Sequence, residues 1–243
     1  MTGAVGVKSH EVHFVRTGEV LHKRIRFHHT SEAIAVEEAL VALGRYGGVP
    51  SLVVRYGCDL WLEYVQGEVL DPHAAGQELL PRFFGELYRR GCRMAAISTT
   101  GVPVRLRKDI EFLQRTGYLK PAVCRRLFEK ADELEPEQVW LGFEYIDPLP
   151  KNFIVRDAMI VGIDVEALRP DTLLGVGPAK AFLRWYREPV ADFLVRLGRE
   201  GAPDISGQLE YADLYFRCMY AKEKTFQRKT HLAPPSSFER FLA

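Results

Sequence analysis

One segment of the chain reads Asp147-Pro-Leu-Pro-Lys-Asn152, then Phe153-Ile-Val155, a polar break, and Met159-Ile-Val-Gly-Ile-Asp164. Two short apolar runs separated by Arg156-Asp-Ala158 predict a β-hairpin with a tight turn. Asn152 then enters the first strand and Asp164 leaves the second, so we expect their side chains to meet at one end of the hairpin.

Asp147, Asn152 and Asp164 form a residue set that suits phosphoryl transfer. This reaction needs one carboxylate to orient the attacking hydroxyl, and an amide and a second carboxylate to hold Mg²⁺ on the phosphates. The alternative is that Asp147 and Asn152 shape a proline-rich loop and Asp164 caps the segment that follows.

The same segment resembles the protein-kinase-like fold in its small-molecule branch, which includes aminoglycoside phosphotransferases, choline kinases and lipopolysaccharide kinases. The catalytic loop of this family reads His-x-Asp-x-x-x-x-Asn, and its metal-binding Asp commonly sits in Ile-Asp-Trp-Glu or Ile-Asp-Phe-Glu. Tyr145-Ile-Asp147 and Ile163-Asp-Val-Glu166 occupy those places, with Tyr145 where the family has His. The resemblance implies that Asp147 is catalytic and that Asn152 and Asp164 bind Mg²⁺.

Two further positions are assigned to phosphate binding through the resemblance. Lys151 lies where some family members place a cation that neutralises the transferred phosphate, and a solvated loop lysine is the alternative. Residues 3–9 resemble the family's Gly-rich turn, in which Gly6 lets backbone amides approach phosphate and Ser9 adds a hydroxyl donor. A flexible N-terminus rich in small residues is the alternative there.

The alternation in residues 19–27 predicts a strand with Lys23 on its apolar face. A lysine that points inward needs an anionic partner, because burying an unpaired ammonium is costly. The resemblance implies that this partner is the α- and β-phosphates of ATP, with a helix Glu as counter-ion. Glu37 and Glu38 both border the apolar stripe of the following helix, which Ser31 is predicted to cap. Glu37 is the preferred counter-ion.

The run Leu60-Trp-Leu-Glu-Tyr-Val-Gln-Gly67 resembles the family's linker between lobes, commonly Leu-x-Glu-Tyr-Ile-x-Gly. In that linker, free backbone groups hydrogen-bond adenine, so the resemblance implies a carbonyl from Glu63 and an amide from Val65. Leu62 or Tyr64 would line the pocket. An ordinary sheet strand that ends in a glycine turn is the alternative.

These matches predict an α+β, two-lobed protein-kinase-like fold. The N-lobe, residues 1–66, holds an antiparallel nucleotide-binding sheet and one helix, and the larger, mainly helical C-lobe, residues 67–243, holds the catalytic loop. Helices are expected over 121–134, 190–199 and 208–224, and the tail after Phe226 is expected to be basic and mobile.

A basic insertion at about 95–135 separates the first C-lobe helix from the catalytic loop. Between residues 104 and 130 it carries eight Arg or Lys against three acids, although the whole chain has a formal net charge of only +1. Such a concentration can bind an anionic acceptor or a lipid headgroup, and a solvated helical face is the alternative. Nucleic acid is disfavoured as a partner, because the overall charge balance is nearly neutral.

The bulk sequence excludes several classes of protein. No run approaches the ~18–20 apolar residues of a membrane span, and the N-terminus does not resemble a signal peptide, so a soluble cytoplasmic protein is predicted. Four widely spaced cysteines argue against a zinc site or a disulfide framework. The sequence contains neither a Gly-x-Ser-x-Gly elbow nor a dinucleotide-binding glycine fingerprint.

The predicted activity is ATP- and Mg²⁺-dependent phosphorylation of a hydroxyl on a small molecule, a sugar or a lipid-linked glycan. The segment after Asp164 is too short and too apolar for a typical protein-docking platform, which favours a small acceptor, anionic or sugar-like. The alternatives are a catalytically weak pseudokinase that serves as a nucleotide-binding or scaffold module, and an unrelated α+β binding protein. The sequence specifies neither the acceptor nor the oligomeric state.

Overall fold

The computed structural model describes residues 10–73 and 76–242. The strands of this part of the chain are β1 (His10–Thr17), β2 (Val20–Phe27), β3 (Leu52–Tyr56), β4 (Asp59–Glu63), β5 (Glu68–Val69), β6 (Arg93–Ala96), β7 (Gln138–Tyr145), β8 (Phe153–Arg156), β9 (Met159–Gly162) and β10 (Leu168–Leu173). Its α-helices are α1 (Thr30–Leu43), α2 (Gly76–Tyr88), α3 (Val102–Arg115), α4 (Pro121–Leu134), α5 (Val176–Arg184), α6 (Val190–Arg199) and α7 (Ser206–Phe226).

The first four strands form one antiparallel sheet in the order β1-β2-β4-β3, against which α1 packs. The alternation predicted for β2 is confirmed, because Ile25 and Phe27 are buried while Arg26 between them is exposed. The predicted cap is corrected: α1 begins at Thr30, and His29 rather than Ser31 is the N-cap residue. His29 has the extended backbone that an N-cap needs, and Glu32 accepts a hydrogen bond from its N–H at 3.4 Å.

The predicted hairpin is present as β8 and β9, which pair from Phe153↔Gly162 to Arg156↔Met159. Asp157 and Ala158 at the turn both have left-handed backbones, with φ of 50° and 59°. Two consecutive left-handed residues match the right-handed twist of the flanking strands. The strand β5 joins this hairpin in a small sheet of order β5-β8-β9.

The remaining strands form a third sheet of order β10-β7-β6, whose central strand β7 leads into the predicted catalytic loop. Around it lie the helices of the C-terminal part. The predicted helices at 121–134 and 190–199 are confirmed as α4 and α6, and the one at 208–224 is confirmed within the longer α7.

The basic insertion contains two helices, of which only α4 was predicted. The other helix, α3, buries Leu106, Ile110 and Leu113 in an apolar cluster that α4 and α7 share. Its basic residues face outward, and Arg107 pairs with Asp132 of α4. Ion pairs between neighbouring residues of α4 neutralise part of the remaining charge.

The tail after Phe226 is ordered against the helices, which corrects the expectation that it is mobile. It forms two short 3₁₀ segments, Thr230–Leu232 and Pro235–Phe241. Phe238 and Phe241 are almost fully buried in the cluster around α7. Burial of two aromatic side chains outweighs the solvation of the basic residues around them.

The described residues thus form an α+β architecture in which a four-stranded sheet with one helix precedes a larger, mainly helical part. Among them, no helix combines the length and the apolar composition needed to cross a bilayer. The boundary between lobes at residues 66 and 67 stays a prediction.

Candidate active site

The catalytic loop places Asp147 between an amide and an ammonium group. Asn152 donates two hydrogen bonds from Nδ2, one to the Asp147 carbonyl at 2.9 Å and one to carboxylate Oδ2 at 3.0 Å. Carboxylate Oδ1 forms an ion pair with Lys180 of α5. Lys180 was not among the site residues predicted from the sequence, so its contact with Asp147 was missed.

Asp164, at the end of the β8–β9 hairpin, is linked to Asn152 through the hydroxyl of Tyr145. The backbone N–H of Ile163 donates to the Asn152 carbonyl at 2.9 Å, which closes the end of the hairpin. The Tyr145 hydroxyl accepts the Asp164 N–H at 3.1 Å and donates to the Asn152 carbonyl at 3.4 Å. The phenol therefore links the catalytic loop to the predicted metal-binding residue.

Lys23, on strand β2 of the N-terminal sheet, reaches the end of the hairpin beside Asp164. Its Nζ donates to the Ile163 carbonyl at 2.7 Å, and the carboxylates that face it belong to Asp164 and Glu166. Burial lowers the pKa of the Lys23 ammonium, and the charges of these two carboxylates act in the opposite direction. The inward orientation inferred from strand alternation is present.

Glu37 does not have the role that was predicted for it. The helix α1 packs against β3, and the Glu37 carboxylate forms an ion pair with Arg55 on that strand. Glu166 faces Lys23 instead, and it also pairs with His10. Burial, followed by a hydrogen bond with Asp164 and its charge, raises the pKa of Glu166 to about 8.

The interlobe linker carries a small apolar cluster of its own. Val65 is buried against Ile154 and Val161 of the β8–β9 hairpin. Glu63 is held by an ion pair with Arg156 at 2.6 Å. Within residues 10–73 and 76–242, no hydrogen bond satisfies the backbone amide of Val65.

The two alternatives for lining this pocket are separated by their burial. Leu62 is fully buried in the main core, whereas Tyr64 is 40% exposed and meets the Phe14 ring edge-on at 5.6 Å. Tyr64 is therefore the residue of the two that a ligand at the linker could contact.

Below the catalytic loop, the carboxylate of Glu144 is completely buried. One oxygen accepts hydrogen bonds from the Tyr88 hydroxyl and the Gly175 N–H, both at 2.8 Å, and the other accepts from the Tyr145 N–H at 3.0 Å. Burial raises its pKa to about 7, against the lowering effect of these donors. Glu144 thus links the end of strand β7 to the start of α5, the helix that carries Lys180.

Gly177 is required at the start of α5 because the helix approaches the catalytic strand closely. A Cβ atom there would lie 2.4 Å from the Tyr145 carbonyl oxygen and 2.6 Å from a Glu144 carboxylate oxygen. The two glycines at 175 and 177 were the sequence signal for this close approach, but the buried carboxylate itself was not anticipated.

Of the other predicted phosphate-binding residues, Lys151 alone falls within the described part of the chain. Gly6 and Ser9 lie outside the described residues. Lys151 lies exposed in the short turn Pro150–Asn152.

Comparisons with known proteins identify the fold of this chain. No protein-family model matches the sequence, and no curated protein matches it significantly. Solved structures do match over nearly the whole chain. A macrolide 2′-phosphotransferase from Brachybacterium faecium superposes with a TM-score of 0.64 at 16% identity, covering 93% of this chain and 86% of its own.

Two further structures agree. Choline kinase from Streptococcus pneumoniae has a TM-score of 0.64 at 13% identity, covering 100% of this chain and 90% of its own. Plasmodium vivax ethanolamine kinase has a TM-score of 0.56 at 12% identity, covering 92% and 77%. This chain has the protein-kinase-like fold. The fold class predicted from the sequence motifs is confirmed, in the form found in small-molecule kinases.

In this protein-kinase-like fold, the available donor groups fit a magnesium ion. Asn152 donates through Nδ2 to Asp147, so its carbonyl oxygen is left to bind a cation, and Asp164 offers a carboxylate. Among the described residues, no group of three or more His, Cys, Asp or Glu could hold a metal. Mg²⁺ usually binds through one or two carboxylates, water and substrate phosphates.

Tyr145 replaces the usual His of the protein-kinase-like fold, and its hydroxyl is expected to support the loop. Tyr145→Phe should lower the free energy of unfolding by about 1–3 kcal/mol, because the buried Asp164 N–H loses its acceptor. Urea denaturation followed by circular dichroism measures this loss.

Tyr211→Phe is the matched control for that change. The Tyr211 hydroxyl is also buried, but it has no hydrogen-bond partner in the described part of the chain. Its removal should change the free energy of unfolding little. Equal denaturation midpoints for both variants would mean that the Tyr145 hydroxyl contributes nothing to the fold.

Proposed function

We propose that this protein is an ATP- and Mg²⁺-dependent phosphotransferase that acts on a hydroxyl group of a small molecule, a sugar or a lipid-linked glycan. The observation that carries the proposal is a chain of contacts: Asn152 holds the Asp147 carboxylate, and the Tyr145 hydroxyl joins the Asn152 carbonyl to the Asp164 N–H. The names of the similar structures, macrolide phosphotransferase, choline kinase and ethanolamine kinase, support a small acceptor.

In the proposed reaction, Asp147 orients the acceptor hydroxyl and takes its proton. Asn152 holds one oxygen of that carboxylate through Nδ2, which restricts the rotation of the base. Asn152 and Asp164 would hold Mg²⁺, which neutralises charge on the phosphates when bound. The transition state of phosphoryl transfer is loose, so most of the catalysis comes from positioning and electrostatic stabilisation.

Lys23 and the linker would bind the nucleotide. The Lys23 ammonium already lies beside Asp164, so phosphates held there by the metal would also contact the lysine. The Val65 amide and the Glu63 carbonyl would hydrogen-bond adenine. The apolar cluster of Val65, Ile154 and Val161 would pack against the adenine ring. Gly6 and Ser9 would cover the phosphates from the N-terminal side.

A thermal-shift experiment with ATP, with and without Mg²⁺, tests the proposal. ATP at about 100 times its dissociation constant should stabilise the protein by ~2.7 kcal/mol, and this gain should require Mg²⁺. Lys23→Met should remove most of the shift, because the phosphates lose their cation. Lys130→Met is the control, since Lys130 pairs with Glu133 on the surface of α4.

The outcomes separate the proposed kinase from its alternatives. A shift with ATP that is independent of Mg²⁺ favours the pseudokinase, which binds nucleotide without holding a metal. No shift under any condition rejects nucleotide binding and favours a scaffold module with this fold.

A further inference from the structure

Two lysine side chains converge on the ring of Tyr220 beside the catalytic loop. The Lys180 ammonium lies 5.2 Å from the ring centroid, and the Lys224 ammonium lies 4.9 Å from it. Both lysine side chains are only 13% exposed. Two ammonium groups that are largely withdrawn from water at one aromatic ring form an environment that favours an anion.

This lysine pair adjoins the carboxylate oxygen of Asp147 that Asn152 does not contact. Asn152, the proposed metal ligand, is hydrogen-bonded to Oδ2 of Asp147, whereas Lys180 contacts the other oxygen, Oδ1. Beyond Lys180 come Tyr220 and Lys224 of α7, which belong to the helical part of the chain and not to the nucleotide-binding sheet. An acceptor whose hydroxyl meets Asp147 from the side away from the metal would lie against these residues.

The counter-ions of the basic residues at this site are few or exposed to solvent, so a negatively charged ligand could bind. Lys180 uses the Asp147 carboxylate as its counter-ion, and Lys224 pairs with Glu223, whose side chain is 51% exposed and well solvated. Arg184, one turn after Lys180, donates to the Leu232 carbonyl at 3.3 Å, and no carboxylate of the described residues pairs with it. An acceptor hydroxyl at Asp147 would compete with Lys180 for carboxylate oxygen Oδ1, and Lys180 would then need a new anionic partner.

We propose that Lys180, Lys224 and Tyr220 form an acceptor subsite for an anionic group. The acceptor is then a hydroxyl compound that carries a carboxylate or a phosphate close to the reacting hydroxyl. This inference rests on the proposed phosphotransferase function. In the reaction, the hydroxyl oxygen bonds to the γ-phosphorus, the bond from that phosphorus to the bridging oxygen of ADP breaks, and Asp147 takes the hydroxyl proton.

Isothermal titration calorimetry on the protein saturated with Mg²⁺ and ADP tests the subsite. The probes are inorganic phosphate, glucuronate and glucose, of which the last is the neutral counterpart of glucuronate. Phosphate or glucuronate should bind and glucose should bind at least about tenfold more weakly, since a hydrogen bond to a charged group is worth ~1.5–3 kcal/mol, or about tenfold or more. The better of the two anions identifies the acceptor's charged group.

Lys224→Gln should weaken binding of the preferred anion by about tenfold. Lys108→Gln, which changes an exposed lysine on α3, should leave it unchanged. Arg184→Gln is a second variant that should weaken binding several-fold, and circular dichroism confirms that each variant is folded. The subsite is disproved if neither anion binds the wild type, or if folded Lys224→Gln protein binds the anion as the wild type does.

Failure of the subsite can be told apart from failure of the proposed function. Mg²⁺-ADP binding is measured first in the same instrument. If ADP binds and Lys224→Gln has no effect on the anions, only the acceptor subsite is wrong. If ADP does not bind, the phosphotransferase proposal fails, and the anions are then titrated into the Lys23→Met variant, in which the competing phosphate contact is removed.

Discussion

Asp147→Asn is expected to slow phosphoryl transfer by about 10²–10⁴-fold while Mg²⁺-ATP still binds. The Asn side chain keeps a carbonyl oxygen for the Asn152 amide, so the loop retains its shape. It cannot take a proton from the acceptor hydroxyl, and it leaves Lys180 without its counter-ion. The loss should therefore fall on kcat and not on the affinity for nucleotide.

The measurement is release of ADP in a coupled assay with a fractionated cell extract as the source of acceptor. Asp157→Asn is a matched control, because Asp157 lies exposed in the hairpin turn with a left-handed backbone that Asn adopts readily. Asp157→Asn should turn over ATP as the wild type does. Undiminished turnover by Asp147→Asn would exclude Asp147 as the base.

Asp164→Ala is expected to abolish Mg²⁺-dependent turnover, with a loss of at least about 10³-fold. A metal ion contributes several kcal/mol to stabilising the charge of the transition state, and each 1.36 kcal/mol is tenfold in rate. The fold should survive, because the Asp164 backbone N–H still donates to the Tyr145 hydroxyl and Lys23 still donates to the Ile163 carbonyl.

The distinguishing readout is the dependence of turnover and of thermal stability on Mg²⁺ concentration at constant ATP. In Asp164→Ala, ATP should still shift the melting temperature slightly, but added Mg²⁺ should no longer increase the shift. Asp192→Ala, an exposed change in the first turn of α6, should keep the full response. A retained response in Asp164→Ala would reject the metal assignment.

The Tyr145 hydroxyl explains how the catalytic loop tolerates the absence of the usual His. Its ring packs against Phe83 and Phe153 at 5.4 and 5.3 Å, and its hydroxyl bridges the Asn152 carbonyl and the Asp164 N–H. A buried phenol needs a hydrogen-bond partner, and the two backbone groups supply it. The substitution thus retains a side-chain link between loop and hairpin.

Features with a strong local period were predictable from the sequence. The hairpin of β8 and β9 followed from two apolar runs around a short polar turn, and the inward face of β2 followed from alternation. The helix α3 had the same kind of signal, an apolar stripe of Leu106, Ile110 and Leu113, but the prediction for that segment rested on its charge and did not include the helix. Its apolar stripe, not its basic residues, determines how it packs.

Partners across the chain were not predictable in this way. Lys23 contacts the carbonyl of a residue 140 positions away, and the sequence indicated only that the lysine points inward. Glu37 was paired with Lys23 on the strength of the resemblance, yet the docking of α1 on β3 turns it to Arg55. Lys180 and Glu144 had no local pattern that marked them as neighbours of the catalytic loop.

By itself, the sequence determined β2, the β8–β9 hairpin, most of the helices and the order of the motifs, because these depend on the alternation of apolar residues and on backbone preferences over a few residues. The tertiary structure alone decided which charged groups meet: Lys180 with Asp147, Glu166 with Lys23, and Tyr145 with the hairpin end. A local period specifies the direction in which a side chain points. The packing of distant elements specifies what it faces, and that contact sets the chemistry of the site.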